Sequence, residues 1–400
     1  MREGWTIRTI GEVALHLCDG SHNPPVGIDF SKYPMLSSKN IFFDSYDYSE
    51  PRYLTKEQFD IENKRTNVSD GDILLTIVGT IGRVCCIKEP FQPFTLQRSV
   101  AVIKPNKNII ISRYLMYCLC GLNAYFNKEA KGVAQKGIYL KQLSKISIPV
   151  PPLQEQERIV AELDLLTEII DKQKQQLKEL DNLAQSIFYD MFGNPVQNEK
   201  GWKMKPLKKI SSLIVNGNTP KGGESVYVSD GIMFFRSQNV WRNRIDYEDV
   251  AFIDADTNAK MQKSVLHRND ILITKTGRIN TENSSLGRAA LYEGETGAAN
   301  INGHVYLIRL NEGVSHQFVL RILIGTEYRD YIRSVCVGGI DKRQINKEHV
   351  EEFPIILPPL ELQESFAKKI QSIESQKQSI NRSIAESQKL FDYTMDKYFG

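Results

Sequence analysis

The sequence predicts an α+β protein, in which two globular mixed α/β units alternate with two long helices that pair as a coiled coil. Three observations predict it. The chain repeats itself, each repeat changes texture abruptly after a Pro-Pro pair, and the stretch behind each pair carries apolar residues at a mean spacing of 3.5 positions, the coiled-coil period.

The repeat is visible in short matches. Gly4-Trp5 recurs as Gly201-Trp202, Gly20 as Gly217 and Asn40-Ile41 as Asn239-Val240. Asp72-Ile73-Leu74-Leu75-Thr76 returns as Asp270-Ile271-Leu272-Ile273-Thr274, and Gly82-Arg83 as Gly287-Arg288. Pro151-Pro152-Leu153-Gln154-Glu155-Gln156-Glu157 matches Pro358-Pro359-Leu360-Glu361-Leu362-Gln363-Glu364, and each half closes on Phe-Gly, at Phe192-Gly193 and Phe399-Gly400. The order is therefore a globular unit over residues 1–150, a helix over 151–193, a second unit over 194–357 and a second helix over 358–400.

Within residues 1–150 and 194–357, short β-branched runs alternate with Gly, Asn, Asp and Ser, which reads as strands joined by turns. Ile73 to Ile77, Val100 to Ile103, Ile271 to Thr274 and Val305 to Ile308 are the clearest strands. Ser112 to Leu122 and Gln317 to Arg333 read as helices. Behind each Pro-Pro the chain runs for about 40 residues without Gly or Pro. In the first such stretch Ile159, Leu163, Leu166, Ile170, Gln173, Leu177, Leu180, Ala184, Ile187 and Met191 follow a 4,3 spacing. Phe366, Ile370, Ile373, Lys377, Ile380, Ile384, Ser387 and Phe391 occupy the matching places in a more polar second seam. An apolar stripe of that length cannot be left in water. Pairing the two seams of one chain is the economical solution; an amphipathic helix lying flat on its own unit is the alternative.

Composition narrows the function. The chain is 41% hydrophobic and 25% charged, as in ordinary globular proteins. No apolar run is long enough to span a bilayer, and no signal peptide or CxxC spacing is present, so a reducing cytoplasm is expected. GxxxxGK[ST], GxGxxG and GxSxG motifs and metal-ligand spacings of His and Cys are all missing. A non-catalytic binding chain without a metal or cofactor of its own is the reading that remains. The net charge of +3 conceals a division: residues 1–150 carry +5 and 194–357 carry +3, while the first helix carries −5 and the second 0. Basic globular units suit the neutralisation of nucleic-acid phosphates.

Donor-rich polar residues recur at matching places, and these could read base edges, since Arg offers two hydrogen bonds to guanine and Asn or Gln two to adenine. In the first unit they are Ser38, Lys39, Asn40, Thr80, Arg83, Gln97, Arg98, Lys136 and Tyr139. Their counterparts in the second unit are Arg236, Gln238, Asn239, Thr276, Arg278, Arg288, Asn302, His304, Lys342 and Arg343.

The duplicated Pro-Pro-Leu segments running to Ile159 and Phe366, the long helices behind them, the terminal Phe-Gly pairs and the duplicated Asp-Ile-Leu strands together resemble the specificity subunits of type I restriction-modification systems. The resemblance covers essentially the whole chain. It implies two target-recognition domains, each contacting one half of a split double-stranded DNA target, with the two helices paired as an antiparallel coiled coil that acts as spacer. It further implies a subunit that is not itself an enzyme, docked to two methyltransferase subunits that use S-adenosylmethionine to methylate adenine. Two restriction subunits, with ATP and Mg, would translocate and cleave. A different class of function also fits the pattern: a coiled-coil scaffold joining two protein-binding modules without DNA recognition.

Overall fold

The computed structural model describes residues 4–130, 137–279, 281, 284–339 and 342–400. The chain packs as two compact units, one of Met1–Gln175 with Asn381–Gly400 and the other of Gln176–Ile380. Its architecture is mixed α/β with two 40-residue helices, in agreement with the fold class read from the sequence.

In the first unit the elements that matter are β1 (Thr6–Thr9), β2 (Ala14–Asp19), β3 (Ile73–Thr76), β4 (Val84–Cys86), β5 (Val100–Pro105), β6 (Ser147–Val150), α1 (Ser112–Gly121) and the long helix α2 (Leu153–Phe192). An antiparallel sheet runs in the order β2-β5-β3-β4. Every residue of β3 is buried, because both faces of the sheet are covered. Alternation along the strands sends Ile73, Leu75, Ala101 and Ile103 toward α1, and Leu74, Val100 and Val102 toward Leu36, Ile41 and Phe94. β1 pairs with β6, so the globular segment begins and ends side by side.

The second unit repeats this plan with β7 (Lys203–Pro206), β8 (Ser211–Asn216), β9 (Ile271–Thr274), β10 (Ala289–Leu291), β11 (Val305–Leu310), β12 (Pro354–Leu357), α3 (His316–Leu323) and the long helix α4 (Leu360–Phe399). Its sheet order is β8-β11-β9-β10, and β7 pairs with β12. The helix expected over Gln317 to Arg333 is broken at Gly325, with Thr326–Val335 as a separate segment. The repeated Asp before β3 and β9 anchors each sheet. Asp72 accepts from the backbone N–H of Ser69 and pairs with Lys104 of β5. Asp270 accepts from His267 N at 2.7 Å and takes a two-pronged pair from Arg309 of β11, at 2.9 and 2.6 Å. All six cysteines are free.

Each unit holds the start of one long helix and the end of the other, which makes the pairing antiparallel. In the first unit Arg158 Nη2 lies 2.9 Å from the Tyr398 hydroxyl, which donates to Glu162 at 2.8 Å, and Gln173 Nε2 donates to Ser383 Oγ at 2.7 Å. In the second, Phe188 and Phe192 pack on Phe366 at 5.6 and 5.5 Å, and Lys377 Nζ pairs with Asp181 at 2.7 Å. Polar seam positions thus meet polar partners, an arrangement that fixes register in coiled coils.

The seams are buried at their ends and only half-buried in the middle. Ile159, Leu163, Leu166, Ile170 and Phe391 belong to the core of the first unit, and Phe366, Ile370 and Ile373 to that of the second. Leu177, Leu180, Ile187, Ile380 and Ile384 are half-buried. Toward the end of α2 the buried stripe is Ala184, Phe188 and Phe192, so Phe188 takes the deep position where the heptad points to Ile187. The spacing lengthens to four because this end packs on α3 as well as on α4, with Phe192 4.8 Å from Phe318.

The repeated glutamine behind each Pro-Pro clamps the helix to its unit. Gln156 donates to the carbonyls of Pro151 and Ile109 at 2.8 and 3.0 Å and accepts from Ile111 N at 2.8 Å. Gln363 donates to Pro358 at 2.8 Å and accepts from Ser315 N at 3.1 Å. Both side chains are buried.

Two stability measurements follow from this packing. Leu163→Asp places a charge in a closed core and is expected to cost about 3–5 kcal/mol in urea unfolding. Exposed Leu165→Asp, two residues on, should leave the midpoint within about 0.5 kcal/mol of the parent. Gln156→Leu leaves buried backbone groups without partners and should lower stability by about 3 kcal/mol; an unchanged midpoint would remove the clamp from the account.

Candidate nucleic-acid interface

The sheet β2-β5-β3-β4 and its counterpart β8-β11-β9-β10 each have one rim where the donor-rich loops gather. In the first unit Asp19 pairs with Ala101, Thr76 with Val100 and Leu75 with Val84, which brings the ends of β2 and β3 and the starts of β4 and β5 to one side. Gly20–His22, Val78–Arg83 and Gln97–Ser99 leave from that rim. In the second unit Asn216 pairs with Tyr306, Thr274 with Val305 and Ile273 with Ala289. The matching loops are Gly217 onward, Lys275–Arg288 and Asn302–His304.

Duplicated residues shape these loops from inside. A Cβ on Gly20 would sit 2.1 Å from the Leu96 carbonyl oxygen, and one on Gly217 would sit 2.3 Å from that of Asn302. Only glycine lets the strand end pass so close to the neighbouring loop. The Thr76 hydroxyl bonds the carbonyls of Thr80 and Arg83 and accepts from Arg83 N at 2.9 Å. Thr274 does the same for Ser285 and Arg288, accepting from Arg288 N at 2.8 Å. A further loop is tied in by Ser38, whose N–H donates to Ser99 Oγ at 3.0 Å and whose carbonyl accepts from Thr80 Oγ1 at 3.1 Å.

The residues expected to face nucleic acid divide by exposure. Lys39, Thr80, Arg98 and Tyr139 are exposed in the first unit, as are Gln238, Arg278, His304 and Lys342 in the second. Lys39 makes only a loose ion pair with Glu50, at 3.6 Å. Ser38, Arg83, Gln97, Arg236, Thr276, Arg288, Asn302 and Arg343 are half-buried. Arg83 caps the Ile41 carbonyl at 3.3 Å and lies over the Phe42 ring. Arg236 is turned inward onto Asp249, with its Nη2 2.8 Å from the backbone carbonyl and 3.0 Å from the carboxylate.

Asn40 and Asn239 are corrections to the expectation. Both are buried and spent on their own hairpins. Asn40 donates to Asp47 and Ser49 and accepts from Ser37 N; Asn239 donates to the carbonyls of Asp246 and Asp249 and accepts from Arg236 N. They build the loop and cannot offer two hydrogen bonds to a base. Lys136 lies outside the described residues.

The second unit opens at its rim into a groove of about 680 Å³, lined by Gln238, Trp241, Thr276, Arg278, Arg288 and Lys342 among others. Arg288 lies 3.9 Å from the centre of the Trp241 ring and donates to the Ser284 carbonyl at 2.9 Å. Burial and the neighbouring Arg244 push its guanidinium below the ordinary arginine value, a repulsion that an anion in the groove would relieve. The first unit has a smaller recess of about 210 Å³, with Arg98, Tyr139 and His22 on its walls. His22 Nε2 lies 2.8 Å from Asp19, which Arg65 also holds. Sequence reasoning missed Trp241 and His22. Trp241 stands directly after the duplicated Asn239-Val240, and its position behind that match was the available signal; His22 has no counterpart that marks it.

Among the described residues no group of three or more His, Cys, Asp or Glu is arranged to hold a metal ion, and no helix is long and apolar enough to cross a membrane. The family model for the type I restriction modification DNA specificity domain matches the chain twice, over residues 2–182 and 199–387. The MjaVIII specificity subunit of a type I restriction enzyme from Methanocaldococcus jannaschii is 23% identical over 369 residues, covering 87% of this chain and 84% of its own. The EcoBI specificity subunit from Escherichia coli is 34% identical over 152 residues, 36% of this chain and 32% of its own. The crystal structure of a type I S subunit from M. genitalium shares the fold with a TM-score of 0.57 at 15% identity, covering 99% of this chain and 96% of that one. With both halves matched and the same architecture repeated in each, the chain belongs to the type I restriction-modification specificity subunits and carries two target-recognition domains.

Proposed function

We propose that each recognition domain reads one half of a bipartite duplex target through its sheet-rim loops. The paired helices set the number of unspecified base pairs between the halves and, with the Pro-Pro joints, dock two methyltransferase subunits. This chain supplies recognition and not chemistry. S-adenosylmethionine, ATP and Mg belong to the methyltransferase and to two restriction subunits, and the assembly works in the cytoplasm on double-stranded DNA.

One observation carries the reading. The residues that shape the rim from inside are the same in both units (Gly20 and Gly217, Thr76 and Thr274, Asn40 and Asn239), whereas those that face outward differ. The first rim exposes Lys39, Thr80, Arg98 and Tyr139, the second Gln238, Arg278, His304 and Lys342. A shared scaffold with two unlike donor sets suits two different half-sites.

The test is methylome sequencing of cells carrying the chain with its methyltransferase subunits. A split recognition sequence is expected, and replacement of residues 1–150 by another recognition domain should change only one half of it; a change in both halves, or a continuous site, would sink the reading. Arg278→Ala should relax the sequence at one position of the other half, with a cost of about 1–3 kcal/mol. Discrimination unchanged at every position would remove Arg278 from the reading face.

A further inference from the structure

The two units differ sharply at one corner, where a two-residue hairpin turn meets the first helix behind the sheet. The turn is Phe43-Asp44 in the first unit and Arg242-Asn243 in the second. Both second residues have positive φ, 48° and 63°, and their N–H groups bond equivalent carbonyls, of Val84 and Ala289. The helices are aligned by their clamps, since Gln156 accepts from Ile111 N and Gln363 from Ser315 N. Counting from those two residues, Tyr117 corresponds to Arg321 and Tyr125 to Arg329.

The first unit closes this corner with rings. Phe43, Tyr117 and Phe391 lie 6.2 to 6.4 Å apart, and the Tyr117 hydroxyl donates to Asp164 at 2.6 Å. Its cation is neutralised, because Arg113 bonds both Asp44 and Asp164. The second unit has three arginines where the first has Phe43, Tyr117 and Tyr125, and the small Ala184 where it has Phe391. Among the described residues none of Arg242, Arg321 and Arg329 has a carboxylate in ion-pair contact. The nearby acids are already engaged: Asp181 with Lys377, Glu374 with Lys377 and Asn243, and Glu327 with Tyr189 and Asn194.

The arginines crowd one another. Burial and Arg329 hold Arg242 below its ordinary value, and burial and Arg242 do so for Arg321. Arg242 and Arg321 stand where the sister unit packs rings together and Arg329 where it has the exposed Tyr125, so three like charges here are not required by the fold. Arg242 and Arg329 border a recess of about 260 Å³ whose wall also includes Trp241 and Arg288, and Arg321 stands beside Arg242 on the wall of a second, narrower recess. Trp241 and Arg288 also line the rim groove, so the recess and the groove adjoin.

We propose that Arg242, Arg321 and Arg329 form a phosphate-binding corner that grips the DNA backbone beside the half-site read by the second unit, independently of base sequence. This rests on the DNA reading above. Arginine suits the task because its planar fork pairs with phosphate oxygens while its charge is unaffected by modest burial. The arrangement makes the two domains unequal: the first holds DNA with its reading rim, the second with its rim and a separate backbone grip.

The experiment measures binding of the full chain to a fluorescein-labelled 40-base-pair duplex of random sequence across a salt series. Parent protein is expected to bind with a steep salt dependence. The R242Q/R321Q/R329Q variant should lower the slope of log affinity against log salt by about 2–3 and weaken binding about tenfold or more at 0.1 M salt. R242F/R321Y/R329Y, which copies the first unit's corner, should unfold at the parent temperature and show the same loss, separating the effect from misfolding. In cells, neither variant should alter the methylated sequence. A parental slope in the aromatic variant overturns the proposal. The same slope with loss of co-purifying methyltransferase subunit overturns it too, assigning the corner to an acidic protein surface. A changed methylated sequence overturns backbone gripping in favour of base reading. Failure of the parent to bind duplex at all would instead bring down the DNA reading on which the proposal stands.

Discussion

Burial of the helix ends is the constraint on which the rest of the chain depends. A two-helix coil alone has too little apolar area to hold its register, and here each end is also a piece of a globular core. Phe192 sits among Phe318 and Phe366, while Phe399 packs on Tyr114 and over Gly121, where it approaches within 3.0 Å of the position a Cβ would take. The glutamine clamps add direction, because Gln156 and Gln363 satisfy backbone groups of both the Pro-Pro joint and the segment leading into α1 or α3. Helix direction and the placement of the recognition sheet are thereby coupled through a handful of buried contacts.

The rims show how a fold can hold its frame while changing its face. Buried Asn and Thr fix loop geometry from below by bonding backbone, Gly does so by its missing side chain, and the exposed positions are the ones that differ between the two rims. Insertion is tolerated on the same principle: the loop behind Thr274 is seven residues longer than its twin behind Thr76, yet each threonine receives the N–H of the arginine that ends it. Length is absorbed between two fixed points, at small entropic cost.

What was legible in the sequence follows from the kind of force involved. The long helices and the central strands were readable because burial imposes periods of 3.5 and 2 that survive in one sequence. The spacing failed where a helix serves two neighbours: at Ile187 the heptad continues on paper, but contact with α3 turns Phe188 inward. The reading face was less legible. Asn40 and Asn239 stood out because they recur, yet recurrence here marks a buried loop anchor; a residue that bonds backbone is kept in both halves, and the exposed rim positions are not. Trp241 could be found only from its place behind the Asn239-Val240 match, and the arginine corner is invisible to any search for matches, because it is what one half has and the other lacks.

The middle of the long helices has a different character from their ends. From Gln173 to Leu183 and from Glu374 to Leu390 the side chains are exposed or half-buried, and beside the packing of Leu180 on the second core the contacts include polar ones, Gln173 with Ser383 and Lys377 with Asp181 and Glu374. Such turns lose little apolar burial on opening, so their amide protons should exchange with solvent through local fluctuations, while those near Leu163 and Phe366 should wait for unfolding of a whole core. Each helix is thus held most firmly where it enters a core and most loosely in the turns farthest from one, a gradient of protection along a single uninterrupted element.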